Sequence, residues 1–211
     1  MKIDDEIEVL VEMLLRMAQV VEENLKNAFA FYKGEIESCK IDDDIVDHME
    51  REIEEKCLDI MLKERPFAKD MRELSGILTL VSDIERLGDH AEDIYNLSLR
   101  LHKLDNFNIQ SVDVMFEKAM TMVHKSITSF INKDEVLASK VIDADDEIDT
   151  LYLDEIDKII AADTKNEMNS DLAILTTLVI KYIERIADHS VNIAEWVIFL
   201  IRGFYKDTQI F

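Results

Sequence analysis

The sequence predicts an all-α protein: a tandem repeat of two three-helix bundles, six long antiparallel helices in total. Three observations carry that expectation. Only 4 Gly and 1 Pro occur among 211 residues, too few turn-formers for a many-stranded β architecture. Apolar residues recur at three- and four-residue steps nearly throughout, the spacing of one helix face. The second half of the chain also repeats the first, which marks a duplicated structural unit.

The first helix is expected over about Asp4 to Tyr32, with Ile7, Leu10, Leu14, Met17, Val21, Leu25 and Ala28 on one face and Gly34 as its stop. A second, about Glu35 to Lys63, carries Val46, Met49, Ile53, Cys57 and Ile60 and ends before Pro66, which disfavours helix at Arg65. The third runs from about Lys69 to Lys103, and Asp105-Asn106-Phe107-Asn108 reads as a loop. The fourth, about Ser111 to Asn132, carries Val112, Met115, Ala119, Met122 and Ile127. The fifth spans Asp134 to about Ala162, a polar turn follows over Asp163 to Asn169, and the sixth runs from about Asp171 to Arg202. Helices of thirty residues are about 45 Å long, and long helices joined by short loops make bundles.

Ile84-Glu85-Arg86-Leu87-Gly88-Asp89-His90 aligns with Ile183-Glu184-Arg185-Ile186-Ala187-Asp188-His189 at an offset of 99. Lys33-Gly34-Glu35-Ile36 resembles Lys133-Asp134-Glu135-Val136 at an offset of 100. The repeats are therefore placed at residues 1–106 and 107–211.

Charge narrows the function classes. With 24 Lys+Arg against 46 Asp+Glu, the net charge is −22. Such a field repels nucleic acid and anionic lipid and favours cations and basic protein surfaces. Cys39 and Cys57 fit no metal or disulfide pattern. The start lacks the basic-then-apolar pattern of a signal peptide. The longest apolar run, Trp196 to Ile201, is far short of a bilayer span. A cytoplasmic protein without membrane insertion is expected.

On a helical wheel with Glu184 as origin, Asp188, Asn192 and Glu195 fall within about 80°, opposite Ile183, Ile186, Ile193 and Val197. Glu85, Asp89 and Asp93 form the same stripe in the third helix, opposite Ile84, Leu87, Ala91 and Ile94. Like charges at i,i+4 destabilise a helix, and no lysine is interleaved to relieve them. The preceding helix of each repeat adds another such pair, Asp43 with Asp47 and Asp145 with Asp149; Asp44 or Glu50 are alternatives to Asp43. Oxygen donors from neighbouring helices suit Fe, Mn, Mg or Ca, and admit Zn.

None of the five histidines has Glu three residues before it, which argues against a ferritin-like di-iron centre. His90 and His189 fall at the edge of the polar face, a boundary position. Arg86 and Arg185 read as salt-bridge partners of the stripe. Gly88 and its counterpart Ala187 point to close helix approach, and the ten Met to core filling. No nucleophile–base pair, P-loop or nucleotide fingerprint is present.

With its tandem Glu85-Arg86-Leu87-Gly88-Asp89-His90 and Glu184-Arg185-Ile186-Ala187-Asp188-His189, the chain resembles the PhoU family of phosphate-signalling proteins over essentially its whole length. Asp70-Met71-Arg72 after Pro66 resembles the family's entry into the third helix. The resemblance implies a metal ion or cluster on each repeat, iron or zinc. One site would use Asp43, Asp47, Glu85, Asp89 and Asp93; the other would use Asp145, Asp149, Glu184, Asp188 and Asn192. It also implies a homodimeric adaptor rather than an enzyme. Such an adaptor couples the phosphate ABC transporter to the phosphate-sensing histidine kinase and represses starvation genes when phosphate is plentiful. A metal-free helical scaffold and a carboxylate-bridged metalloenzyme are the competing readings.

Overall fold

The structure, a computed structural model, describes residues 3–104, 110–165, 168–205 and 208–209. Helix α1 (Ile3–Tyr32) leads to α2 (Asp43–Glu64) and α3 (Ala68–Leu101). The second repeat contains α4 (Gln110–Asn132), α5 (Glu135–Asp143), α6 (Asp145–Thr164) and α7 (Ser170–Arg202). A two-residue antiparallel pair, β1 (Phe204–Tyr205) with β2 (Thr208–Gln209), follows. The expected loop at 105–108 and the repeat boundary at 106/107 lie outside the described residues.

The all-α expectation holds, with two local differences. The second helix begins at Asp43 rather than Glu35. The Asp42-Asp43-Asp44 run suits a helix start, where the N-terminal dipole attracts negative charge. The Asp42 amide donates to Asn24 Oδ1 of α1 at 3.2 Å, pinning that start. The fifth helix is broken at Ala144, whose N–H bonds to the carbonyls of Val141 and Ile142 in a tightened turn. That break places Asp145, Asp146 and Glu147 in the first turn of α6, the same acidic start as α2.

Helix ends follow local chemistry. Arg65, held out of the right-handed helical region by Pro66, adopts φ 47°, ψ 62° and terminates α2. Both first helices of the repeats end in one motif: Glu35 N–H bonds to Ala30 O past Gly34 (φ 72°), and Asp134 N–H bonds to Ser129 O past Lys133 (φ 50°). Gly34 therefore matches Lys133, an offset of 99 rather than 100, in step with the third-helix motifs.

Helices α1, α2 and α3 pack as one three-helix unit, and α4, α5–α6 and α7 as the other. The units join mainly through α3 against α7, with Phe29 of α1 stacked on Phe116 of α4 at 3.6 Å between ring centroids. One apolar core runs through both, including Leu14, Val21, Ile84 and Leu87 from the first repeat and Met122, Ile183 and Ile186 from the second. No helix among the described residues is long and apolar enough to cross a membrane. Truncating fully buried Leu87 to Ala leaves a cavity in this core. The expected cost is about 3 kcal/mol, read as a lower urea midpoint with an unchanged m-value.

Candidate metal centre

The acidic ridge of the first repeat is assembled where the start of α2 meets the middle of α3. Asp43 is the first residue of α2, half-buried, and its Oδ1 is buried with no hydrogen-bond partner. Burial, and then the neighbouring charges of Glu92, Asp47 and Asp89, push its carboxyl up to about 6. Glu85 is pushed up to about 7 by burial and by Asp89, Glu50 and Asp47, against the opposing pull of Arg86. Gly88 lets α2 come this close: a Cβ there would lie 3.2 Å from Val46 Cγ1 and 3.6 Å from Asp43 Oδ1.

The second repeat reproduces the arrangement. Asp145, first in α6, has an Oδ1 equally buried and without a hydrogen-bond partner. Burial, followed by Asp149, Asp188 and Glu184, raises its carboxyl to about 6. Asp188 is raised by burial and by Glu184, with Lys181 opposing. Asp43 and Asp145 thus occupy equivalent places at an offset of 102. Asp43 rather than exposed Asp44 therefore lies on the ridge, and Glu50 joins it beside Glu85.

Cations already contact both ridges. Arg86 Nη1 lies 2.9 Å from Asp89 Oδ2, and its Nε lies 3.6 Å from Glu85 Oε2. In the second repeat Lys181, not Arg185, plays this part, with Nζ 2.5 Å from Glu184 Oε2. Asp47 and Asp149 stand further out: Asp47 is 3.8 Å from Arg51, and Asp149 is exposed.

The last member of each expected set is turned elsewhere. Asp93 accepts a hydrogen bond from Tyr182 of α7, and Asn192 Nδ2 donates to Asp83 Oδ1 of α3 at 3.3 Å. His189 Nδ1 meets the same Asp83 oxygen at 2.9 Å. Asp83 and Tyr182 are themselves equivalent at an offset of 99. Asp93 and Asn192 therefore belong to the seam between the repeats. His90 is not at a boundary: it is buried there, 5.5 Å from the His189 ring and 5.4 Å from Tyr182, because α7 covers that edge of α3. Its burial holds the imidazole neutral, down at about 3.

Sequence reasoning passed over Glu92, the strongest charged influence on Asp43. It sits seven residues after Glu85, a heptad step that returns to the same stripe. Among the described residues no three Asp, Glu, His or Cys side chains converge closely enough to enclose an ion. The ridge side chains are alike in chemistry, oxygen donors of the kind hard cations take. All ridge donors are carboxylates, like charges crowd one another in both repeats, and one buried oxygen in each has no hydrogen-bond partner.

A family model described as the PhoU domain matches residues 14–97 and 112–197, one copy per repeat. The chain belongs to the PhoU family. A PhoU homolog of Clostridium acetobutylicum, described as a phosphate-specific transport system accessory protein, is 32% identical over 213 residues, covering 97% of this chain and 96% of that one. The homolog of Aquifex aeolicus is 36% identical over 157 residues, covering 72% of this chain and 71% of its own. Among solved structures, PhoU from Pseudomonas aeruginosa superimposes with a TM-score of 0.88 at 26% identity, covering 96% of this chain and 100% of that one. The Streptococcus pneumoniae phosphate transport system regulatory protein PhoU shares the fold, with a TM-score of 0.85 at 22% identity over 98% of this chain and 100% of its own.

The raised carboxyls of this PhoU-family chain give metal-free stability a definite pH dependence. Asp43, Asp145 and Glu85 have ordinary values of 3.8, 3.8 and 4.5 and are raised to about 6, 6 and 7 in the fold. At these three groups the folded state binds more protons between those limits, so their contribution to stability falls as pH rises from about 4 to 7 and outweighs the opposite contribution of buried His90. Chelator-treated protein is expected to melt higher at pH 5 than at pH 8. In a D43N/E85Q/D145N variant this difference should shrink in thermal scans.

Proposed function

We propose that the chain is an accessory regulator of phosphate transport that holds metal cations on its two acidic ridges and is not itself an enzyme. The observation that carries the metal part is the pair of buried carboxylate oxygens without hydrogen-bond partners, on Asp43 and Asp145, found at equivalent places of both repeats. Leaving a buried acceptor unsatisfied costs about 1–3 kcal/mol, and a cation offsets that cost together with the crowding of like charges. Asp43, Asp47, Glu85 and Asp89 would hold the metal in the first repeat; Asp145, Asp149, Glu184 and Asp188 would do so in the second. The bound ion supplies charge compensation, with iron or zinc as the family resemblance implies, and Mn, Mg or Ca compatible with the donors.

The transport part of the proposal is supported by the relatives, which are named as accessory and regulatory proteins of phosphate transport. On this reading the chain works in the cytoplasm as a homodimer. It links the phosphate ABC transporter to the phosphate-sensing histidine kinase and restrains the starvation response. A second reading, a metal-free helical scaffold, is favoured by one observation: Arg86 and Lys181 already pair with ridge carboxylates.

Elemental analysis of protein purified without chelator separates the two. Stoichiometric metal is expected in the wild type, lost in a D89A/D188A variant whose helical circular dichroism is unchanged. Equal metal content in both proteins removes the proposed sites, and no metal in either leaves the scaffold.

A further inference from the structure

Away from both ridges, a cavity of about 320 Å³ opens where α3 begins and α4 and α7 end. Phe130 and Leu200 form apolar walls, with half-exposed Ile131 and Ile201 at its mouth. The polar lining is Lys69, Arg72, Lys133 and Glu73: three cations to one carboxylate, in a chain whose acids outnumber its bases nearly two to one. Glu73 is already taken by Lys133, at 3.0 Å. Lys69 and Arg72 have no ion pair among the described residues. Gly203 (φ 85°) leaves room for the Arg72 guanidinium: a Cβ there would lie 2.6 Å from Arg72 Nη1. Its Nε has no hydrogen-bond partner among the described residues.

We propose that this cavity binds a small amphipathic monocarboxylate, a ring or branched alkyl body carrying a short acid arm. The apolar body lies against Phe130 and Leu200, and the carboxylate is taken by Lys69 and Arg72, whose guanidinium suits a planar bidentate partner. A volume of about 320 Å³ is at the low end of small-molecule sites. A net charge of −22 selects against polyanions at long range. Inorganic phosphate has no apolar body and gains nothing from these walls. The cavity shares no lining residue with either ridge.

Titration calorimetry on the full chain, with chelator present, tests this using 4-phenylbutyrate, 4-phenylbutanol and inorganic phosphate. The acid is expected to bind, with the alcohol and the R72Q and K69Q variants each about tenfold weaker. Phosphate is expected not to compete. Lys69 is exposed, so K69Q keeps the fold even if R72Q loosens the end of α7. Equal binding of acid and alcohol, unchanged affinity in K69Q, displacement by phosphate, or no heat from the acid at about 1 mM would each overturn the proposal.

Discussion

The packing of α3 against α7 is the constraint on which the rest of the structure depends. Each helix is long and carries a continuous apolar stripe, and the two stripes close on one another as well as on their own bundles. The opposite, acidic faces must then point outward, toward α2 in one repeat and α6 in the other. The seam also accounts for polar groups that a solvated surface would not need to pair. Asp83, His189 and Asn192 form one hydrogen-bonded cluster across it; in its counterpart Tyr182 pairs with Asp93, and neutral His90 lies 3.6 Å from Asp93 without a hydrogen-bond partner among the described residues.

Each ridge forms where a second element begins rather than along its length. Helices α2 and α6 both start on a ridge aspartate, Asp43 and Asp145, so the helix N-terminus itself contributes positive potential at the ridge. Gly88 and Ala187 allow that end to approach. Acidic pressure from neighbouring carboxylates is thus balanced partly by backbone dipoles and partly by Arg86 and Lys181. The arrangement is compact and still carries excess negative charge.

Much of this was legible in the residues. The apolar faces of the first, third, fourth and last helices are read directly from their three- and four-residue steps, and the duplicated E-R-x-x-D-H motif fixes the two-repeat plan. Pro66 and Gly34 mark their helix ends for the stereochemical reasons expected. Two boundaries were not legible. The start of α2 depends on Asn24 of another helix capturing the Asp42 amide, and the break at Ala144 interrupts a stretch with no Gly or Pro. A helical wheel also describes one helix alone. It places Asp93 and Asn192 on the acidic stripe, but it cannot show that α7 and α3 reach across to claim them, nor that the same contact buries His90. Glu92 was within reach of the wheel and was missed only because the stripe was followed at four-residue steps.

The duplication is regular in its helices and irregular between them. From the left-handed residue ending the first helix to the ridge aspartate is nine residues in one repeat, Gly34 to Asp43, and twelve in the other, Lys133 to Asp145. From that aspartate to the motif glutamate is three residues fewer in the second copy, so the overall period of 99 is restored. The extra length accommodates α5, which packs on α7, whereas the shorter connector crosses as non-helical chain. The copies therefore differ in how each acidic platform is entered: one from a helix packed on the bundle, the other from non-helical chain whose Asp42 amide meets Asn24 Oδ1. The two halves are thus akin without being interchangeable, set apart by the approach that leads into each one's charge.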